Sequence, residues 1–203
     1  MTMRYAWLSA MLMAAAAAAP CIAGTEASPA RLLPVFERVL PLNSPRVIGD
    51  IAMTDHSGAR RRLSDLVGKS ALVFFGFTHC PEVCPAAMQK LALLKSSKGG
   101  ELEGVRVVLI SVDGERDSPE VMQSFLKRFS EEFVGLTAPA AQVRNLALQF
   151  SAPFFKDQPR DGGYLVQHSN RVYALDKQGR LRAELYDASA EATFGVMRAL
   201  LAE

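Results

Sequence analysis

Two continuous apolar runs stand out along the chain. Ala71–Phe77 reads Ala-Leu-Val-Phe-Phe-Gly-Phe, and Val105–Val112 holds Val107, Val108, Leu109 and Ile110 in succession. Apolar runs of this length, rich in β-branched and aromatic residues, predict strands covered on both faces. After the first run Met88, Leu91 and Leu94 repeat at helical spacing. After the second, Ser118-Pro119 predicts a helix start with Ser118 as cap and Val121, Met122, Phe125 and Phe129 as apolar face. Phe133–Leu136 predicts a short strand and Ala140–Phe150 a helix. Ser151–Ser169, with two Pro and two Gly, predicts a long irregular stretch. Arg171–Asp176 and Arg180–Tyr186 predict a hairpin around Lys177-Gln178-Gly179, and Ser189 caps a last helix through Leu200. Ahead of all this, Val47–Met53 and Arg60–Leu63 predict extended segments around an Asp55-His56-Ser57-Gly58 turn.

Buried strands alternating with helices, closed by a hairpin and a helix, predict an α/β fold. The expected architecture is a thioredoxin-like sandwich over residues 46–203: a central mixed sheet, helices on both faces and an added N-terminal hairpin. Residues 24–45 are rich in Pro, Ala and Ser and read as a linker, whose middle, Leu32–Leu40, suits a short helix. Residues 1–23 carry Arg4, an apolar run from Ala6 to Ala19 and small residues before a cleavage site after Ala23, the layout of a signal peptide. No charge lies between Arg4 and Glu26, so an uncleaved membrane anchor is the other reading. Either places the folded part in a periplasm, soluble or tethered to the inner membrane.

Composition narrows the function. An apolar share of 49% with 22% charge over 203 residues excludes a disordered chain, and a net charge of +2 gives no footprint for nucleic acid. Three cysteines are too few for a disulfide scaffold. Cys21 belongs to the targeting segment, which leaves Cys80 and Cys84.

That pair lies in Phe77-Thr-His-Cys80-Pro-Glu-Val-Cys84-Pro85, where a buried strand hands over to a helix. Proline suits the first helical position, so the helix is expected to begin at Pro85 with Cys84 as its cap and Cys80 in an exposed turn. A helix N-terminus favours thiolate, and a compact turn can bring both sulfurs to one metal ion or to each other. A redox pair needs only Cys80 and Cys84. A metal site needs a further ligand, and two thiolates select Cu(I), or zinc with more donors. Of the three histidines, His79 adjoins Cys80 and reads as an exposed residue tuning it, while His56 reads as part of a turn. His168 precedes the strand Arg171–Asp176. In a thioredoxin-like sheet this region approaches the cysteine turn, and thiol oxidoreductases of that fold usually carry a cis-proline there. Here the sequence is Gln167-His168-Ser169-Asn170.

Three segments resemble the Sco/SenC family of thioredoxin-fold copper proteins. Phe77–Pro85 is similar to its Cys-Pro-x-x-Cys-Pro loop. Ser111-Val-Asp113-Gly-Glu-Arg116-Asp117-Ser-Pro119 is similar to its Ser-Val-Asp-Pro-x-Arg-Asp-Thr-Pro segment. Tyr164-Leu-Val-Gln167-His168-Ser169 is similar to its Val-Asp-His-Ser segment. The resemblance implies that Cys80, Cys84 and His168 bind copper, as Cu(I) or Cu(II), with Asp113 and Asp117 orienting the site or shaping a capping loop. It also implies a role in delivering copper to the binuclear copper site of cytochrome c oxidase subunit 2 and an upstream copper donor protein. The alternative is a thiol–disulfide reductase that uses Cys80 and Cys84 on a partner's cysteines, in which case the protein is an enzyme rather than a chaperone. Two positions depart from the family pattern. Gly114 replaces a proline, which is expected to loosen its loop. Gln167 replaces an aspartate, which removes a negative charge beside His168 and is expected to weaken Cu(II) binding.

Overall fold

The computed structural model describes residues 38–66, 68–158 and 163–203. The expected targeting segment, Cys21 and most of the expected linker lie outside them. Among the described residues ten strands and four α-helices follow in order: β1 (Val39–Arg46), β2 (Ala52–Asp55), β3 (Arg60–Arg62), β4 (Ser70–Gly76), α1 (Val83–Lys98), β5 (Val105–Ser111), α2 (Pro119–Leu126), β6 (Val134–Thr137), α3 (Ala140–Gln149), β7 (Phe155–Lys156), β8 (Val166–Gln167), β9 (Arg171–Leu175), β10 (Leu181–Tyr186) and α4 (Ala190–Leu201). Eight strands form one sheet in the order β1-β10-β9-β4-β5-β6-β2-β3, while β7 and β8 pair separately.

The sheet is mixed. β4, β5 and β6 run parallel, and β9 is antiparallel to β4. All seven residues of β4 are buried, as an apolar run without alternation requires. Successive side chains of a strand face opposite ways, so Phe74 and Phe75 divide the core between two layers. Phe75 meets Phe150, just after α3, at 5.1 Å between ring centroids, and both rings meet Tyr173 of β9. Phe74 points to the other face, toward α1 and His168. The expected sandwich with a central mixed sheet is the observed fold.

The structure departs from the sequence reading at several places. Val39–Arg46, within the stretch that composition reads as a linker, is an edge strand paired with β10. The described end of the expected Leu32–Leu40 helix therefore opens a strand. Two prolines sit in β1, which edge strands tolerate because one side makes no ladder. Val121 is exposed on α2, and Leu126 takes its place beside Met122 and Phe125 in the core. The Ser151–Ser169 stretch is not wholly irregular, because β7 and β8 close a short antiparallel ribbon within it. Ser118 and Ser189 cap α2 and α4 as expected, accepting from the N–H groups of Val121 and Ala192.

At Gly114 two backbone segments pack closely. A Cβ at this position would run onto the backbone carbonyl oxygen of Ala138, so glycine lets two backbone segments close-pack. Gly114→Ala and Gly114→Pro are each expected to lower the free energy of unfolding in urea by about 1–3 kcal/mol, the usual cost of overpacking. An unchanged midpoint in both would show that this contact yields freely.

Candidate metal centre

The site is assembled at the end of the central strand. β4 ends at Gly76, and the chain turns through Thr78 to Cys80 before α1 begins at Val83. The helix thus starts two residues earlier than Pro85 suggests, with Glu82 at the cap position. Pro85 falls within the first turn, where N–H groups have no helical partner anyway, so the missing donor costs nothing. Cys84 is a helical residue rather than the cap, and the open N–H groups serve the other cysteine. The Cys84 N–H donates to Cys80 Sγ at 3.4 Å.

This arrangement separates the two thiols. Cys84 is fully buried and Cys80 half-buried. Cys80 is held far below the ordinary thiol range, to about 3. The hydrogen bond from the Cys84 thiol is the main cause, opposed by burial and aided by His168 and by the N–H groups of Cys84 and Glu82. Cys84 is pushed well up, because its proton serves Cys80 and because burial disfavours its thiolate. Room for its sulfur comes from Gly76. A Cβ there would stand 2.8 Å from Cys84 Sγ and 2.8 Å from the Phe74 ring. Gly76 was not singled out by the sequence reading, although a glycine inside a strand run is itself a mark of close approach.

His168 completes the cluster. Its Nδ1–H donates to the carbonyl of Ser169 at 2.9 Å, which turns Nε2 toward the cysteines. Nε2 lies 3.5 Å from Cys84 Sγ. The ring stands edge-on to Phe74 and Phe77, at 5.9 and 5.6 Å between centroids, so its orientation is fixed by packing. One donor atom from each of Cys80, Cys84 and His168 lies within 4.8 Å of the others. The Cys80 and Cys84 sulfurs and the His168 Nε2 thus face one another, and two sulfurs with one imidazole suit a soft cation.

The Ser111–Pro119 segment ties the site together. Asp117, fully buried, accepts from the Thr78 hydroxyl at 2.6 Å, the Thr78 N–H at 3.1 Å and the Ser111 hydroxyl at 2.7 Å. Asp113 accepts from the Tyr164 hydroxyl at 2.7 Å and from Arg116. Both carboxylates therefore hold loops of the site, and capping of α2 is the work of Ser118. His79 is exposed. Its Nδ1 reaches the Thr78 hydroxyl at 3.0 Å and does not join the three-donor cluster. His56 is structural, accepting from the Gly135 N–H at 3.1 Å. Gln167 donates to Asp157 at 3.0 Å across the β7–β8 ribbon.

Comparison with known proteins agrees with this geometry. The chain is 36% identical over 135 residues to the mitochondrial SCO2 homolog of Danio rerio, covering 64% of this chain and 48% of that protein. It spans about half the length of the first curated relatives it matches. The copper-bound structure of Arabidopsis thaliana ScoI superposes with a TM-score of 0.71 at 28% identity, covering 77% of this chain and 99% of that one. The apo Sco1 protein of Thermus thermophilus gives 0.68 at 37% identity, covering 80% and 94%. The sequence model described as SCO1/SenC matches residues 41–200, from the first edge strand to the last helix, and the chain belongs to that family.

Proposed function

We propose that this protein is a copper metallochaperone that delivers copper to the binuclear copper site of cytochrome c oxidase subunit 2. The observation that carries the reading is the convergence of two sulfurs and one imidazole nitrogen within 4.8 Å. The donors fit Cu(I), and the similar Arabidopsis protein holds copper. Copper is the cargo; Cys80, Cys84 and His168 are its ligands in this reading. A bound cation would replace the Cys84 proton.

The asymmetry of the site gives a direction to transfer. Cys84 is sealed beneath α1, whereas Cys80 and His168 border an open cleft of about 340 Å³ between the cysteine turn and β8. An acceptor's ligands reach copper from that side, so Cys80 and His168 are displaced before Cys84. The upstream donor must load the site through the same opening. Among the described residues no helix is long and apolar enough to cross a membrane. A membrane tether or a signal peptide therefore belongs to residues 1–23 in this reading, with the folded domain in the periplasm.

A second reading is favoured by the Cys80 thiolate itself, which is placed to attack a partner's disulfide. A mixed disulfide would form with loss of one partner thiolate. Cys84 would then attack the Cys80 sulfur, releasing the second partner thiol and leaving a Cys80–Cys84 disulfide. His168 has no part in that exchange.

The two readings separate on His168. With the cysteines reduced, titration with Cu(I) against a chromogenic chelator is expected to give one tightly bound copper per chain. His168→Ala is expected to weaken it by roughly 100-fold, the upper end of what even outer-shell changes cost at metal sites. No tight binding, with thiol–disulfide turnover unaffected by His168→Ala, would overturn the copper reading in favour of the reductase. A second expectation concerns the apoprotein. Cys80 should react with iodoacetamide at a nearly constant rate between about pH 5 and 8, because it is already thiolate there. A free thiol instead gains about tenfold per pH unit below its ordinary value of about 8.5. Peptide mapping that finds Cys84 labelled first would contradict the assigned asymmetry.

A further inference from the structure

Tyr164 lies four residues before His168, and no part of the metal centre needs it as a ligand. Its surroundings are nonetheless highly specified. The phenol donates to Asp113 Oδ1 at 2.7 Å, and Asp113 is itself buried and bonded to Arg116. The guanidinium carbon of Arg116 stands 3.8 Å from the Tyr164 ring centroid and the Lys156 ammonium 3.7 Å from it. Both cations thus stack on the ring at cation–π distance. Lys156 is in turn held by Glu115 at 2.7 Å. Arg116 also lies over Phe77, at 5.7 Å, and Phe77 is one of the two rings that fix His168 edge-on.

These contacts join the two halves of the centre. The Ser111 hydroxyl donates to Asp117, which holds Thr78 in the cysteine turn, and accepts from the Asp113 N–H at 3.0 Å. From Asp113 the path continues to Tyr164 in the segment that carries His168. A single hydrogen-bonded path thus runs from two residues before Cys80 to four residues before His168. Between Tyr164 and His168 the chain makes only the two-residue strand β8, paired to the equally short β7. Such a ribbon is too short to hold a side chain in place unaided. The anchor at Tyr164 supplies what the ribbon lacks.

We propose that Tyr164 is a positioning residue for His168: its hydrogen bond to Asp113, with Arg116 and Lys156 stacked on its ring, sets where the imidazole rests against Cys80 and Cys84. The inference rests on the copper reading for its consequence and on the apoprotein's geometry for its existence. Tyr164→Phe tests it, because this change removes the hydroxyl and keeps the ring on which the cations stack.

Two measurements are needed. In the reduced apoprotein, amide hydrogen exchange over residues 164–168 is expected to speed up by about tenfold in Tyr164→Phe, while exchange in β4 and β5 stays as in the parent protein. In copper titrations, Tyr164→Phe is expected to weaken Cu(I) binding by about three- to tenfold, and to have no further effect in a His168→Ala background. A purely structural role would weaken binding equally with and without His168, and that result would overturn the proposal. Unchanged exchange over residues 164–168 would overturn it as well. If the parent protein bound no copper, the copper reading would fall, while the exchange measurement would still decide whether Tyr164 anchors the segment. Should Tyr164→Phe change exchange throughout the fold, Asp113→Asn, which keeps an acceptor for the phenol, is expected to restore protection over residues 164–168 relative to Asp113→Ala. Equal exchange in those two variants would count against the anchor.

Discussion

The centre depends on one buried carboxylate. Asp117 is withdrawn from water, and a carboxylate in that position is tolerated only when its oxygens are well supplied with donors. The Thr78 hydroxyl and N–H and the Ser111 hydroxyl supply them. The same bonds fix the first residues of the cysteine turn against the end of β5. Cys80 is carried by a turn pinned at its start to Asp117 and at its end to the first turn of α1. The exposed histidine beside it is drawn into the same network through Thr78, with its Nδ1 3.7 Å from Asp117.

From that constraint the inequality of the cysteines follows. Pinning the turn sets Cys80 beside the Cys84 thiol, which donates to it, and in front of the open N–H groups of a helix, a position that stabilises thiolate. Cys84, one residue into the helix, is driven inward against Gly76 and loses access to water. Two thiols of one short motif thereby differ in charge, exposure and reach. This is useful in a carrier: one ligand holds the cargo while the others can exchange. The same inequality would serve a disulfide reductase, which is why the imidazole, not the sulfurs, distinguishes the two activities.

Much of the fold was legible because its central strands are apolar on both faces and its helices carry clear caps, as at Ser118 and Ser189. The missed strand β1 illustrates the limit. Its prolines and polar residues are those of a linker, and only pairing with β10, far away in sequence, makes it a strand. The early start of α1 has a similar cause, since a proline is acceptable anywhere in a first helical turn. Within the site, Cys80, Cys84 and His168 could be named from chemistry, resemblance and the order of the elements. The parts that depend on close approach in space were not legible. Gly76 is visible only as a glycine in a strand, and the link from Asp113 to Tyr164 spans 51 residues. The close approach of Ala138 to Gly114 is likewise visible only in space.

The central claim is that two sulfurs and one imidazole of this chain hold a single copper ion. X-ray absorption at the copper edge of the Cu(I)-loaded protein tests it most directly. The account predicts a first coordination sphere of two sulfur donors and one nitrogen donor, with the outer-shell scattering of an imidazole ring that vanishes in His168→Ala. A sphere of sulfur donors alone in the parent protein, or an imidazole signal that persists in His168→Ala, would contradict it.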